Sequence, residues 1–151
     1  MKAKISPLVW LNFALVQSHF EMIAPVQKGK KKKLNPEEYF RQYEVDIDFE
    51  ILDSEEDTFQ VFTKININQI ENPITGYKIF VEGTGLFKIN DSEDLPEGHK
   101  KNLKNYSAVN LLINRLRTHI LQTTSLSVFG AYDLPPIDIT DLFNQKSQLS
   151  Q

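Results

Sequence analysis

Nine consecutive residues, Tyr43-Glu-Val-Asp-Ile-Asp-Phe-Glu-Ile51, alternate apolar and acidic without a fault. In an extended chain successive side chains point to opposite faces. Tyr43, Val45, Ile47, Phe49 and Ile51 therefore share one side, and Glu44, Asp46, Asp48 and Glu50 share the other. This is the pattern of a strand with one dry and one wet face, and the dry face demands a covering layer.

Three more stretches fit the same sheet. Leu8 to Ile23 is mostly apolar, with β-branched and aromatic residues, and stops at Ala24-Pro25. Thr58 to about Ile70 alternates, with Phe59, Val61, Thr63, Ile65 and Ile67 on one face. Tyr77 to Ile89 forms the fourth strand. Gly83 and Gly85 inside it predict a bulge or a close backbone approach. Asp53–Asp57 and Asn72–Gly76 supply short turns, so the strands pair antiparallel.

The period then changes. Val109, Leu112, Ile113, Leu116 and Ile120 recur at three- and four-residue intervals, which predicts a helix from about Asn102 to Thr123. Ser125 to Ile139 carries Gly130, Pro135 and Pro136 and reads as an irregular loop. Thr140 to Gln145 is a short helix, and 146–151 a frayed polar tail. The expectation is a single α+β domain over 1–151. Its four-stranded antiparallel sheet carries a long helix and a short C-terminal helix on one face.

The composition is that of a soluble globular chain: 40% hydrophobic, 25% charged, net charge −3. The absence of cysteine excludes a disulfide framework, a thiolate metal site and a cysteine nucleophile, and fits a cytoplasmic protein. Pro7 to Val16 is about half the length a membrane span needs. Although Lys2 and Lys4 precede it, the segment reads as mature structure rather than a signal peptide.

Few residues point to catalysis. His19, His99 and His119 lack ligand spacing, and Gly83-Thr-Gly85 is followed by no Gly-Lys-Ser/Thr. No cofactor or metal is expected. The loop after the helix carries the functional signal. Leu126, Val128, Phe129, Tyr132 and Leu134 are many apolar groups for a connection, and they suit a groove for apolar segments of other chains. Burying one client Leu or Phe gains about 1.5–3 kcal/mol, so several grooves on one oligomer are needed for useful affinity. Phe62 and Phe80, on wet faces, are candidates for an exposed aromatic pair. The basic segment 28–38, with Lys28-Gly-Lys-Lys-Lys-Lys33, reads as an exposed loop.

Three segments resemble the SecB family of protein-export chaperones. They are Ser18-His-Phe-Glu-Met-Ile-Ala-Pro25, Gly83-Thr-Gly-Leu-Phe-Lys-Ile89 and, most distinctively, Leu134-Pro-Pro-Ile-Asp-Ile-Thr-Asp-Leu-Phe143. The resemblance implies a non-enzymatic chaperone, assembled as a dimer of dimers, that holds unfolded polypeptides in hydrophobic grooves. It further implies either delivery to a SecA-type motor or protection of an antitoxin. Glu21 and Glu82 then become candidates for partner docking, and Leu112, Leu116 and Ile120 for the oligomer interface. The sequence departs from motor-coupled members in showing no long acidic carboxy-terminal tail. It also places Lys78 and Phe80 before Glu82 on the fourth strand.

Two readings of other classes compete. A curved sheet around a helix can enclose a catalytic pocket, as in hot-dog or NTF2-like enzymes, but needs a convergent acid–base pair that the predicted inner faces lack. A nucleic-acid adaptor working through Lys28 to Lys33 would have charge but no aromatic stacking platform.

Overall fold

The fold is taken from a computed structural model, which describes residues 1–25, 35–54, 58–90 and 94–149. The lysine run from Lys28 to Lys33 lies outside them. Four strands, β1 (Leu8–Ile23), β2 (Val45–Asp53), β3 (Thr58–Ile67) and β4 (Gly76–Ile89), form one antiparallel sheet in the order β1-β4-β3-β2. A one-turn helix, α1 (Pro36–Phe40), precedes β2. After β4 an unbroken helical run comprises α2 (Glu97–Asn102), a π-helical turn (Leu103–Ser107) and α3 (Ala108–Thr124). The last helix, α4, spans Ile139–Leu149.

The alternation along β2 and β3 is realised in the burial. Ile47, Phe49, Phe59, Val61, Ile65 and Ile67 are buried beside Ile79, Val81, Phe87 and Ile89 of β4. α3 closes this dry face with Val109, Leu112, Ile113, Leu116 and Ile120, all fully buried. Leu112, Leu116 and Ile120 are thus consumed by the chain's own core, and the expectation that they meet another subunit is corrected. A stripe at helical spacing says that one face is dry but does not say against what.

Three boundaries differ from the sequence reading. β3 stops at Ile67 rather than Ile70, because Asn68 turns the chain with φ at +57°. Its buried side chain then closes the turn. Nδ2 donates to the Ile74 and Tyr77 carbonyls at 2.8 and 2.7 Å, and Oδ1 accepts the Ile74 N–H at 2.9 Å. The helical run begins at Glu97 rather than near Asn102, and α4 continues to Leu149 through part of the segment read as frayed.

The bulge expected in β4 lies in its partner. The β1–β4 register shifts between Trp10 and Asn12 and between Leu15 and Gln17, which leaves Leu11 and Val16 as the extra residues. The glycines serve the close approach instead. A Cβ at Gly83 would stand 2.8 Å from Leu116 Cδ2, and one at Gly85 2.7 Å from the Phe87 ring.

Asn68→Ala should cost roughly 2–4 kcal/mol, from lost hydrogen bonds and a left-handed backbone that alanine resists. Asn68→Gly should cost less, since glycine adopts that φ freely. Urea unfolding of the two variants checks the order.

Candidate functional site

The connection from α3 to α4 is an ordered strap. Thr124 Oγ1 accepts the Tyr132 N–H at 2.9 Å. Tight turns form where Ser127 N donates to Thr124 O and Gly130 N donates to Ser127 O, each at 2.9 Å. Gly130 takes φ +78°, a conformation that suits glycine. Its carbonyl accepts the Tyr77 hydroxyl at 2.7 Å. Further along, Arg117 Nη2 donates to the Pro135 carbonyl at 3.0 Å.

This anchoring sorts the predicted groove residues into two groups. Tyr132 and Leu134 are only 2% and 1% exposed, so they hold the strap down and do not face a client. Leu126 and Val128 stand out at 98% and 84% exposed, and Phe129 is half-buried with its ring 5.6 Å from that of Tyr77. From Ala131 to Leu134 the strap alternates exposed and buried as a strand does, a signal masked in the sequence by the prolines that follow.

An aromatic cluster lies beneath. Tyr132 contacts the rings of Phe40 and Tyr43 at 5.3 and 5.4 Å, and Tyr77 contacts those of Phe40 and Phe20 at 5.5 and 5.1 Å. The Tyr43 hydroxyl accepts the Tyr77 N–H at 2.7 Å and donates to the Thr75 carbonyl at 3.0 Å. Burial pushes the phenols of Tyr43 and Tyr132 up to about 12 and also raises Tyr77.

α4 packs beside β2 more lightly, with no buried residue of its own. Phe143 sits between Phe49 and Tyr106, ring centroids 4.5 and 4.7 Å away. Tyr106 belongs to the π-helical turn, whose extra residue the periodicity of the sequence did not reveal. Lys146 Nζ meets Asp48 Oδ1 at 2.5 Å. Two open clefts lie between β2 and α4. One, of about 370 Å³, is lined by Ile47, Phe49, Leu142 and Leu149, and the other, of about 230 Å³, by Val45, Ile137 and Leu142, with polar neighbours in both.

The outer face of the sheet is mixed. Glu21 and Glu82 share it, but Glu21 stands opposite Lys78 and Glu82 opposite both Gln17 and Lys64. Phe62 and Phe80 do not pair: Phe62 faces Thr84 on β4, and Phe80 faces Asn66 on β3. Asp46, Asp48 and Glu50 form a continuous acidic stripe on β2.

His119 lies within 3.0 Å of Ser18 Oγ on the flank between β1 and α3. Neither residue lines the clefts beside α4. Among the described residues no group of three or more His, Asp or Glu could hold a metal ion, and no helix is long and apolar enough to cross a membrane.

The family model for SecB, preprotein translocase subunit SecB, matches residues 21–150. The chain belongs to the SecB family, whose members are chaperones. Among solved structures it is similar to the Rv1957 SecB-like chaperone of Mycobacterium tuberculosis, in complex with a ChAD peptide from the Rv1956 HigA1 antitoxin. Identity is 12%, coverage 87% of this chain and 88% of that one, and the TM-score 0.56. A protein of unknown function from Streptococcus agalactiae aligns at 7% identity over 86% of this chain and 97% of that one, with a TM-score of 0.42. No curated protein matches the sequence.

The raised tyrosines fix the sign of an alkaline dependence. The fold holds the phenolic proton of Tyr43 more tightly than an unfolded chain, whose tyrosine has the ordinary value of 10.0. Its contribution is complete below pH 10 and is lost as pH rises toward 12. Stability should therefore fall across that window. Tyr43→Phe should lose about 1–2 kcal/mol at neutral pH, from the missing hydrogen bonds, but decline less steeply above pH 10. Denaturant midpoints taken from pH 7 to 12 measure both effects.

Proposed function

We propose that this chaperone acts by binding alone. It holds non-native polypeptide segments on the surface formed by Leu126, Val128 and Phe129 of the strap and by the clefts between β2 and α4. The observation that carries the reading is the contrast within the strap. Tyr132 and Leu134 anchor it, while two aliphatic side chains beside them are left almost wholly in solvent. A surface made of separate apolar anchors suits clients with no fixed order of side chains.

Self-association belongs to the same proposal. The flank of α3 that meets β1, through His119 beside Ser18 and Arg115 over the Phe13 ring, carries Leu111, Arg115 and His119 at four-residue spacing, and β1 itself exposes Leu11, Leu15 and Val16. These residues, rather than Leu112, Leu116 and Ile120, are proposed to join copies of the chain. Several grooves on one assembly then raise the effective concentration of anchors.

Rv1957 binds an antitoxin peptide on the same fold, and antitoxin segments are proposed as clients here too. The motor-delivery reading rests on Glu21 and Glu82. Their lysine neighbours Lys78 and Lys64 offset the charge that a basic partner would seek. A cytoplasmic location accords with a role in capturing chains before export.

Two experiments test these proposals. Leu126→Ser with Val128→Ser should weaken suppression of client aggregation, followed by light scattering, several-fold while leaving the melting temperature unchanged. Tyr132→Ser is the control, and should instead destabilise the fold by about 3–5 kcal/mol. If wild-type protein at several-fold excess leaves aggregation untouched, the holding function is wrong. For assembly, Leu11→Glu with Val16→Glu should lower the mass in sedimentation, and a monomeric wild type would sink the interface.

A further inference from the structure

α3 carries no carboxylate along its whole length. In Ala108–Thr124 the titratable side chains are Arg115, Arg117 and His119. Arg117 turns to the strap, where Nη2 donates to the Pro135 carbonyl at 3.0 Å, and it stands roughly 200° round the helix from His119. Arg115 and His119, one turn apart, lie together on the flank that meets β1. The Arg115 guanidinium sits 5.3 Å from the centre of the Phe13 ring, and His119 Nε2 lies 3.0 Å from Ser18 Oγ.

The elements packed around His119 supply no counter-charge. In β1 the titratable residues are His19 and Glu21. Both stand in register with outer-face residues of β4, Phe80 and Lys78, whereas Ser18 stands opposite the buried Val81. Beneath α3 the buried residues of β3 and β4 include no charged side chain. The strap carries Asp133, but it is tied to α3 at Thr124 and Arg117. A proton on His119 would thus place a second cation one turn from Arg115, with no carboxylate in α3, in the facing part of β1 or on the dry face to offset it.

The fold itself tolerates that proton. A hydroxyl both donates and accepts, so Ser18 Oγ keeps a partner in Nε2 whether the ring nitrogen accepts or donates. The consequence falls on contacts outside the chain. The same flank exposes Leu111, and β1 exposes Leu11, Leu15 and Val16. In a two-fold contact the same patch lies on both sides, so each copy brings its own Arg115 and His119. Neutral imidazoles add only polar surface to such a contact. Protonated ones double its positive charge where apolar contact excludes water.

We infer that His119 is a proton-sensitive lock on self-association: copies of the chain join through this flank while its imidazole is neutral and separate when it is protonated. The inference rests on the self-association proposed above and names what controls it. The joined form holds fewer protons than the separated one, so association is complete at high pH and is lost as pH falls. Imidazole is the side chain whose ordinary titration lies between about pH 5 and 8, above the range of ordinary carboxylates.

Sedimentation velocity of the full chain over a range of concentrations, at about pH 8 and about pH 5.5, tests the lock. The dissociation constant of the wild type should be about 10- to 100-fold higher at the lower pH, the upper end applying when both imidazoles of a contact must shed a proton to join. Far-ultraviolet circular dichroism at the lower pH should show the separated chains still folded. Unfolding there would overturn the lock, because dissociation would follow loss of structure. His119→Gln keeps a hydrogen-bonding side chain but takes up no proton, and should hold the high-pH value at both. In the unmodified protein the Cε1–H resonance of His119 should titrate at lower pH in concentrated, assembled samples than in dilute ones. Identical titrations, an assembly that ignores pH, or a His119→Gln variant that still separates would each overturn the lock and leave self-association standing. A wild type that is monomeric at both pH values would overturn the two together.

Discussion

The contact between α3 and the dry face of the sheet sets the terms for everything else. Leu116 comes so close to β4 that residue 83 has no room for a Cβ, which would lie 2.8 Å from Leu116 Cδ2. That approach seals Val61, Ile65, Val81 and the apolar stripe of α3 into one core. It also uses up the whole apolar stripe of the helix. Interaction with other molecules must then draw on what α3 leaves uncovered: the flank beside β1, the strap beyond its C-terminus, and the lightly packed margin at β2.

The strap shows how apolar side chains are held at the surface without being buried. Its backbone is tied to Thr124, Tyr77 and Arg117, and two of its side chains, Tyr132 and Leu134, are sunk into the core. These anchors fix the path of the chain, so Leu126 and Val128 project with little conformational freedom left to lose on binding. The Tyr43 hydroxyl extends the same support, since it ties the approach to β2 to the start of β4. A Cβ at residue 76 would fall 2.0 Å from that hydroxyl, so Gly76 and Tyr43 constrain one another.

Much of the sheet was legible because period-two alternation reports both conformation and face at once. The limits of β1 were readable, and the dry and wet sides of β2 and β3 followed from single residues such as Ile47 and Lys64. What stayed hidden depends on partners distant in sequence. Leu11 and Val16 are apolar like their neighbours, so nothing marked them as bulge residues, whereas the glycines opposite drew attention to the wrong strand. The stripe of Leu112, Leu116 and Ile120 was visible, but a helix face does not disclose whether its cover is its own sheet or another chain. Tyr132 and Leu126 look equivalent in composition. Tertiary contacts separate the two: Tyr132 N donates to Thr124 Oγ1 and its ring meets Phe40 and Tyr43, while Leu126 stays exposed.

The two margins of the sheet complete the physical picture. A sheet edge invites pairing, and a stable protein must blunt it or use it. β1 carries two register shifts along its length, so its edge departs from regular geometry and presents the side chains of Leu11 and Val16. β2 keeps perfect register with β3 from Val45 to Asp53 and carries none. Its protection is a carboxylate and a lysine, surface groups that exchange readily with water. An irregular margin suits association through side chains in one fixed arrangement, whereas a regular, reversibly guarded one suits main-chain recognition of many sequences.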